Sequence, residues 1–125
     1  MADISSKKIL VVDDEEDVQI YLGNILKRNN YSVIIAANGS NGLDLAKKEL
    51  PDLIILDVML PDIEGGDVAS KLSEDAVTRN IPIIFLTALM RKQEEEAIMK
   101  TGKHYILAKP AMKEEIIALI NKILK

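Results

Sequence analysis

Five short apolar runs punctuate the chain, and each is followed by a polar turn and a longer stretch of helical character. The runs are Ile9–Val12, Val33–Ala36, Leu53–Leu56, Ile83–Leu86 and Tyr105–Ala108. The first, third and fourth are unbroken, which suits strands covered on both faces of a parallel sheet. Between them, Val18, Tyr21, Leu22, Ile25 and Leu26 fall at helical spacing and predict one apolar stripe. Ile116, Leu119, Ile120, Ile123 and Leu124 repeat that spacing at the C-terminus, Leu43, Ala46 and Leu50 mark a second helix, and Val68, Ala69 and Leu72 a third. The segment 91–101 reads as a loosely held helix, with Ala97 and Ile98 nearly its only apolar contacts. Strand and helix in strict alternation predict an α/β fold with right-handed crossovers and helices on both faces. For five strands, the doubly wound flavodoxin-like (βα)5 arrangement has a five-stranded parallel sheet in the order 2-1-3-4-5.

That architecture directs attention to the carboxyl ends of the strands, where ligands bind near the switch in strand order. The first strand ends in Asp13-Asp14, followed by Glu15-Glu16, and the third in Asp57. The fourth ends in Thr87 and the fifth in Lys109-Pro110. Taken singly, an acid after a strand is a turn former or helix N-cap, and a lone Thr or Lys there is unremarked. Taken together, three carboxylates, a hydroxyl and an ammonium fall at one edge of the sheet. Crowded carboxylates repel one another unless a cation compensates. Oxygen ligands in small number suit Mg²⁺, which keeps several waters and favours phosphate oxygens. A carboxylate is also a covalent nucleophile toward phosphorus, in a transfer that needs mainly positioning and charge neutralisation.

Composition narrows the field. The 125 residues amount to one ordinary domain, long enough to bury roughly two-thirds of its unfolded surface. Three Tyr, one Phe and no Trp leave an aliphatic core of Ile, Leu, Val and Ala. A net charge of −4 disfavours non-specific nucleic-acid binding, which needs clustered positive charge. The absence of cysteine removes disulfides and thiolate metal sites. Lys7 and Lys8 precede an apolar run too short for a signal peptide, and no stretch approaches the eighteen or so residues of a membrane span. A cytoplasmic protein without a membrane role is the expectation.

The segments ILVVDDEE, PDLIILDVMLPDIEGG, PIIFLTA and AKP, in this order and spacing, resemble the receiver domains of two-component response regulators. The resemblance runs from about Lys7 to Leu124, so residues 1–125 are expected to be a single receiver domain with no effector domain in the chain. It implies that Asp57 is the phosphoacceptor and that the donor is a phosphohistidine on a sensor histidine kinase or a phosphotransfer protein. It also implies Mg²⁺ held directly by Asp14 and Asp57, through water by Asp13, and by the Met59 backbone carbonyl. Thr87 carries over as the switch hydroxyl and Lys109 as the lysine of the motif. The bond before Pro110 is implied to be cis. Output would pass to a downstream protein partner or to an effector domain lying elsewhere.

Three positions depart from the family's usual pattern. Ile106 stands where a Tyr or Phe usually swings inward with the switch threonine. Tyr105 is adjacent, but the period of two in a strand points it to the opposite face. Lys103-His104 replaces a small residue and an acid, with His104 read as a surface residue rather than a ligand. Ala111 stands where an aromatic often follows Lys-Pro. These changes fall on the face that in this family usually meets partners. Met59 and Leu89, two residues past Asp57 and Thr87, are bulky apolar side chains placed to hinder an attacking water. Two other function classes meet the same residues. A Mg²⁺-dependent phosphatase with an aspartyl nucleophile would carry a second acid where Met59 stands, and a cap for which 125 residues leave no room. A phosphorylation-independent adaptor would have no use for the intact Asp57, Thr87 and Lys109.

Overall fold

The computed structural model describes residues 7–87, 104–109 and 111–124. Within them the chain runs β1 (Lys8–Val12), α1 (Glu16–Arg28), β2 (Ser32–Ala36), α2 (Gly39–Glu49), β3 (Leu53–Asp57), α3 (Gly65–Glu74), β4 (Ile83–Thr87), β5 (His104–Ala108) and α4 (Lys113–Leu124). The helix expected over 91–101, together with Leu89, Lys103 and Pro110, lies outside the described residues.

All five strands are parallel, in the order β2-β1-β3-β4-β5. The alternation of side chains along each strand divides the core into two layers. Ile9, Val11, Leu53, Ile55, Ile84 and Leu86 point to one face, where they pack against Leu22, Ile25 and Leu26 of α1 and Ile116 and Ile120 of α4. Leu10, Val12, Ile54, Leu56, Ile83 and Phe85 point to the other, against Ala46 of α2 and Val68, Ala69 and Leu72 of α3. Every residue of β3 and β4 is buried, which is why these segments read as unbroken apolar runs. Each large aliphatic side chain withdrawn from water in this way contributes about 1.5–3 kcal/mol.

Helix ends follow the charges. α1 opens on Glu16 and Asp17 and closes on Lys27 and Arg28, each sign matching the helix dipole. Asn30 then takes a left-handed conformation at φ 66°, and the Tyr31 N–H reaches back to the Leu26 carbonyl at 3.0 Å. Leu50 departs from the sequence expectation. It is not on the core stripe of α2 but is its left-handed C-cap at φ 48°, with 54% of its surface exposed. Pro51 follows directly, and the residue before a proline is pushed out of the helical region, so the helix stops at Glu49. Tyr21 is likewise 45% exposed, because its hydroxyl leaves the stripe to donate to the Ala111 carbonyl at 3.0 Å.

Candidate functional site

Parallel pairing sets the strand ends level. Val12 pairs with Leu56, Asp57 with Leu86, and Thr87 with Ala108, so the residues that leave the strands emerge at one edge. Asp13 continues the ladder by one bond, its N–H donating to the Ala36 carbonyl at 3.0 Å. This anchors its carboxylate in the interior, with 1% of the residue exposed. Oδ1 accepts from the Glu15 N–H at 2.9 Å, and the Asp13 carbonyl accepts from the Gln19 amide at 2.7 Å. Asp14 points outward and is exposed. Asp57 ends β3 with 6% of its surface exposed, and its Oδ1 accepts from the Met59 N–H at 3.1 Å.

Lys109 closes the cluster from β5. Its Nζ lies 3.0 Å from Asp13 Oδ2, 3.1 Å from Glu15 Oε1 and 3.4 Å from Asp57 Oδ2. Its backbone N–H donates to the Thr87 carbonyl at 2.7 Å, joining the ends of β4 and β5. Thr87 is buried at the end of β4. The structure therefore brings Asp13, Asp14, Asp57, Thr87 and Lys109 to one edge.

Among the described residues, the electrostatics are those of an acidic pocket with less positive than negative charge. Burial pushes the Asp57 carboxyl above its ordinary range, against the pull of the Met59 N–H; the Asp13 charge adds to the rise and Lys109 opposes it. Burial alone would lower the Lys109 ammonium, but its hydrogen bonds to Asp13 and Glu15 and the charges of Asp13 and Asp57 outweigh that and raise it well above the usual lysine range. Lys109 is thus a fixed cation. Three carboxylates lie within 3.4 Å of this ammonium, and oxygens of Asp13, Asp14 and Asp57 lie within 4.8 Å of one another. An all-oxygen donor set carrying excess negative charge fits a hard divalent cation that retains part of its water shell.

Glu15 and Gln19 belong to the cluster although the sequence reading passed them over. The acidic run Asp13–Glu16 was visible, but nothing in it says that Glu15 turns back toward a lysine 94 positions away. Tyr105 and Ile106 fall on opposite faces of β5, Tyr105 against the α1–α4 layer and Ile106 against the α2–α3 layer. His104 is half-buried, and its ring stands edge-on to Phe85 with centroids 5.6 Å apart. Met59 projects outward with 72% of its surface exposed. Ala111, buried beside Lys109, shares with Val18, Tyr21, Leu22, Leu86 and Ile116 the lining of an apolar groove of about 630 Å³.

Comparison with known proteins gives this geometry a context. Residues 9–121 match the family model described as the response regulator receiver domain. The polar-differentiation response regulator DivK of Brucella anthropi is 33% identical over 118 residues, covering 94% of this chain and 96% of DivK. The alkaline phosphatase synthesis transcriptional regulatory protein PhoP of Bacillus subtilis is 38% identical over 120 residues, covering 96% of this chain; the chain spans 49% of PhoP's length. Among solved structures, the receiver domain of the sensor histidine kinase PA1611 from Pseudomonas aeruginosa PAO1, with a magnesium ion coordinated in its active site cleft, superposes with a TM-score of 0.87. It is 26% identical and covers 96% of this chain, which covers 98% of it.

Proposed function

This chain belongs to the response regulator receiver family, and from that premise we propose that it accepts a phosphoryl group on Asp57 in a Mg²⁺-dependent reaction. Receiver domains act as signalling switches between histidine kinases and downstream effectors. The donor here is a phosphohistidine on a sensor histidine kinase or a phosphotransfer protein. An Asp57 oxygen forms a bond to phosphorus as the donor's phosphorus–nitrogen bond breaks, and the leaving imidazole takes up a proton. Asp14 and Asp57 would hold the metal directly, Asp13 through water, and the Met59 carbonyl would complete the protein ligands. When bound, the ion neutralises charge on the phosphoryl oxygens. Lys109, already a fixed cation, turns from Asp57 to the new phosphoryl group, and the Thr87 hydroxyl donates to one of its oxygens. Because Lys109 and Thr87 are joined through the main chain, this rearrangement is felt at the end of β4 and on β5, where Tyr105, Ile106 and Pro110 belong to the switch and partner surface.

What supports this reading above all is one observation: Asp57 ends a buried strand with two other carboxylates within 4.8 Å and an ammonium 3.4 Å away. The proposal covers residues 1–125 as a single receiver domain with its core at about 7–124, in the cytoplasm. Among the described residues no helix is long and apolar enough to cross a membrane. The test is incubation with acetyl phosphate or phosphoramidate, with Mg²⁺ and with EDTA, followed by intact mass beside an Asp57→Asn variant. A Mg²⁺-dependent gain of one phosphoryl group in the parent alone is expected. No gain, even from a cognate phosphohistidine donor, would replace this reading with the phosphorylation-independent adaptor, which the aliphatic Ile106 at the usual aromatic position favours.

A further inference from the structure

We propose that Asp62 is a positioning residue for the metal site: its carboxylate ties the loop between Asp57 and α3 to the first turn of α2, and so fixes where the Met59 carbonyl is presented. The inference rests on the assignment of Mg²⁺ to Asp14, Asp57 and that carbonyl.

The loop is held closely at its two ends. The Met59 N–H donates to Asp57 Oδ1 at 3.1 Å, and the Gly65 N–H donates to the Val58 carbonyl at 2.8 Å. Between those bonds the chain bulges outward, with Met59, Pro61, Asp62 and Glu64 exposed. Water would compete for every polar group in such a loop, and its path needs a tie to a rigid element. Asp62 supplies one. Its Oδ1 accepts from the Gly39 N–H at 2.8 Å and its Oδ2 from the Ser40 N–H at 3.0 Å. These are first-turn donors with no partner inside the helix, at the positive end of its dipole. The same two bonds hold the Asp62 carboxyl below its ordinary range, the Ser40 bond contributing most.

Two further observations separate this tie from ordinary helix capping. First, α2 already has a local cap, since Asn38 Oδ1 accepts from the Asn41 N–H at 2.9 Å. The Asp62 bonds therefore join two elements rather than complete one. Second, the approach is tight. A Cβ added at Gly39 would lie 3.0 Å from the Ile63 Cβ, 3.1 Å from Val68 Cγ2 and 3.2 Å from Asp62 Oδ1. The missing side chain at Gly39 is what lets the loop rest against the helix. Asp62 is three residues from Met59, so freedom gained at Asp62 is passed along a short exposed stretch to the proposed ligand carbonyl.

The experiment is a Mg²⁺ titration of ¹⁵N-labelled protein, followed by amide NMR without any phosphodonor, for the parent, Asp62→Ala, Asp62→Asn and Asn38→Ala. Groups that orient metal ligands without touching the metal typically account for about 10–100-fold in affinity. With one of three protein ligands affected, Asp62→Ala is expected to weaken Mg²⁺ by about threefold or more, with Met59–Ile63 amides displaced in the metal-free protein and Asp62→Asn intermediate. Asn38→Ala, which uncaps the same helix without releasing the loop, should leave the affinity within about 1.5-fold of the parent. Equal affinity in Asp62→Ala and the parent overturns the proposal, as does an Asn38→Ala loss as large as that of Asp62→Ala. A parent that binds no Mg²⁺ overturns the metal assignment itself and this inference with it.

Discussion

Gly65 and Gly66 open α3 side by side, yet only one of them has room for a methyl group. A Cβ on Gly65 would stand 2.7 Å from the Asp57 carbonyl oxygen and 2.7 Å from the Val58 Cα, whereas one on Gly66 meets nothing within 4 Å. Comfortable contacts of this kind lie at about 3.5–4.0 Å, so the Gly65 methyl is short of space by roughly 1 Å. Both obstacles are main chain at the end of a fully buried strand and cannot swing aside as a side chain would. Overpacking costs about 1–3 kcal/mol, and backbone obstacles put this case near the top of that range. Moving α3 away would also stretch the Gly65–Val58 hydrogen bond, worth about 1 kcal/mol. Alanine's better helix propensity returns up to about 1 kcal/mol, and less in a first turn. Gly65→Ala should therefore cost about 3 kcal/mol, and Gly66→Ala should gain about 0.5 kcal/mol. In a domain of this size that is a fall of about 12 °C in Tm against a rise of about 2 °C. Urea unfolding followed by far-ultraviolet circular dichroism measures both changes, with equal slopes licensing the comparison. Gly65→Ala should also slow phosphorylation, because the atom it displaces is the carbonyl of Asp57 itself. Shifts of the same sign in the two variants, or a Gly65→Ala cost below about 0.5 kcal/mol, would refute the steric reasoning.

Three more outcomes follow from the same geometry. Ile106 is half-buried on the α2–α3 side of β5, so Ile106→Ala should cost about 1–2 kcal/mol while leaving the phosphorylation-induced NMR shifts on the β5 surface in place; their disappearance would show that the side chain relays the switch and the backbone does not. Replacing Met59 with Asn exchanges an exposed apolar shield beside Asp57 for a group that can orient water, and loss of phosphate from Asp57 should speed up several-fold; an unchanged rate counts against the shielding role. The Asp62 carboxyl is held below its ordinary 3.8 in the folded protein by the Ser40 and Gly39 N–H groups, so its folded value lies under its unfolded one. Its stabilising contribution is whole above the unfolded value and is lost as pH falls through the folded one. The stability difference between the parent and Asp62→Ala should accordingly be level from about pH 7 to 5 and shrink in stronger acid, and a difference that persists undiminished below the folded value would disprove the charge–dipole account.

Much of this was legible in the chain because burial writes itself as periodicity. Ile9–Val12, Leu53–Leu56 and Ile83–Leu86 read as doubly covered strands, and they are buried on both faces. Once the strands were ordered, Asp13, Asp57, Thr87 and Lys109 had to converge, since parallel strands release their next residues at one edge. Leu50 was misread because hydrophobic spacing carries no information about the left-handed C-cap at which the helix ends. The edge-on contact of His104 with Phe85 on the neighbouring strand is a pairing invisible along the sequence. Glu15 and Asp62 were unreadable as participants for a related reason. An exposed acid carries no mark of its partner, and theirs lie 94 and 22–23 positions away.

The pairing of β1 with β3 has a consequence for how such a molecule can be altered. Asp13 is one residue beyond the Val12–Leu56 pair, and Asp57 is one residue beyond it on the other strand. Their backbone separation is set by the spacing of neighbouring strands, about 4.8 Å, and not by the course of any loop. The two central acids are thus ruled off by the sheet itself. An engineer who rewrites the surrounding surface to redirect the protein to a new partner leaves that ruler untouched, whereas one who disturbs a single rung of the β1–β3 ladder changes the chemistry while the surface stays the same.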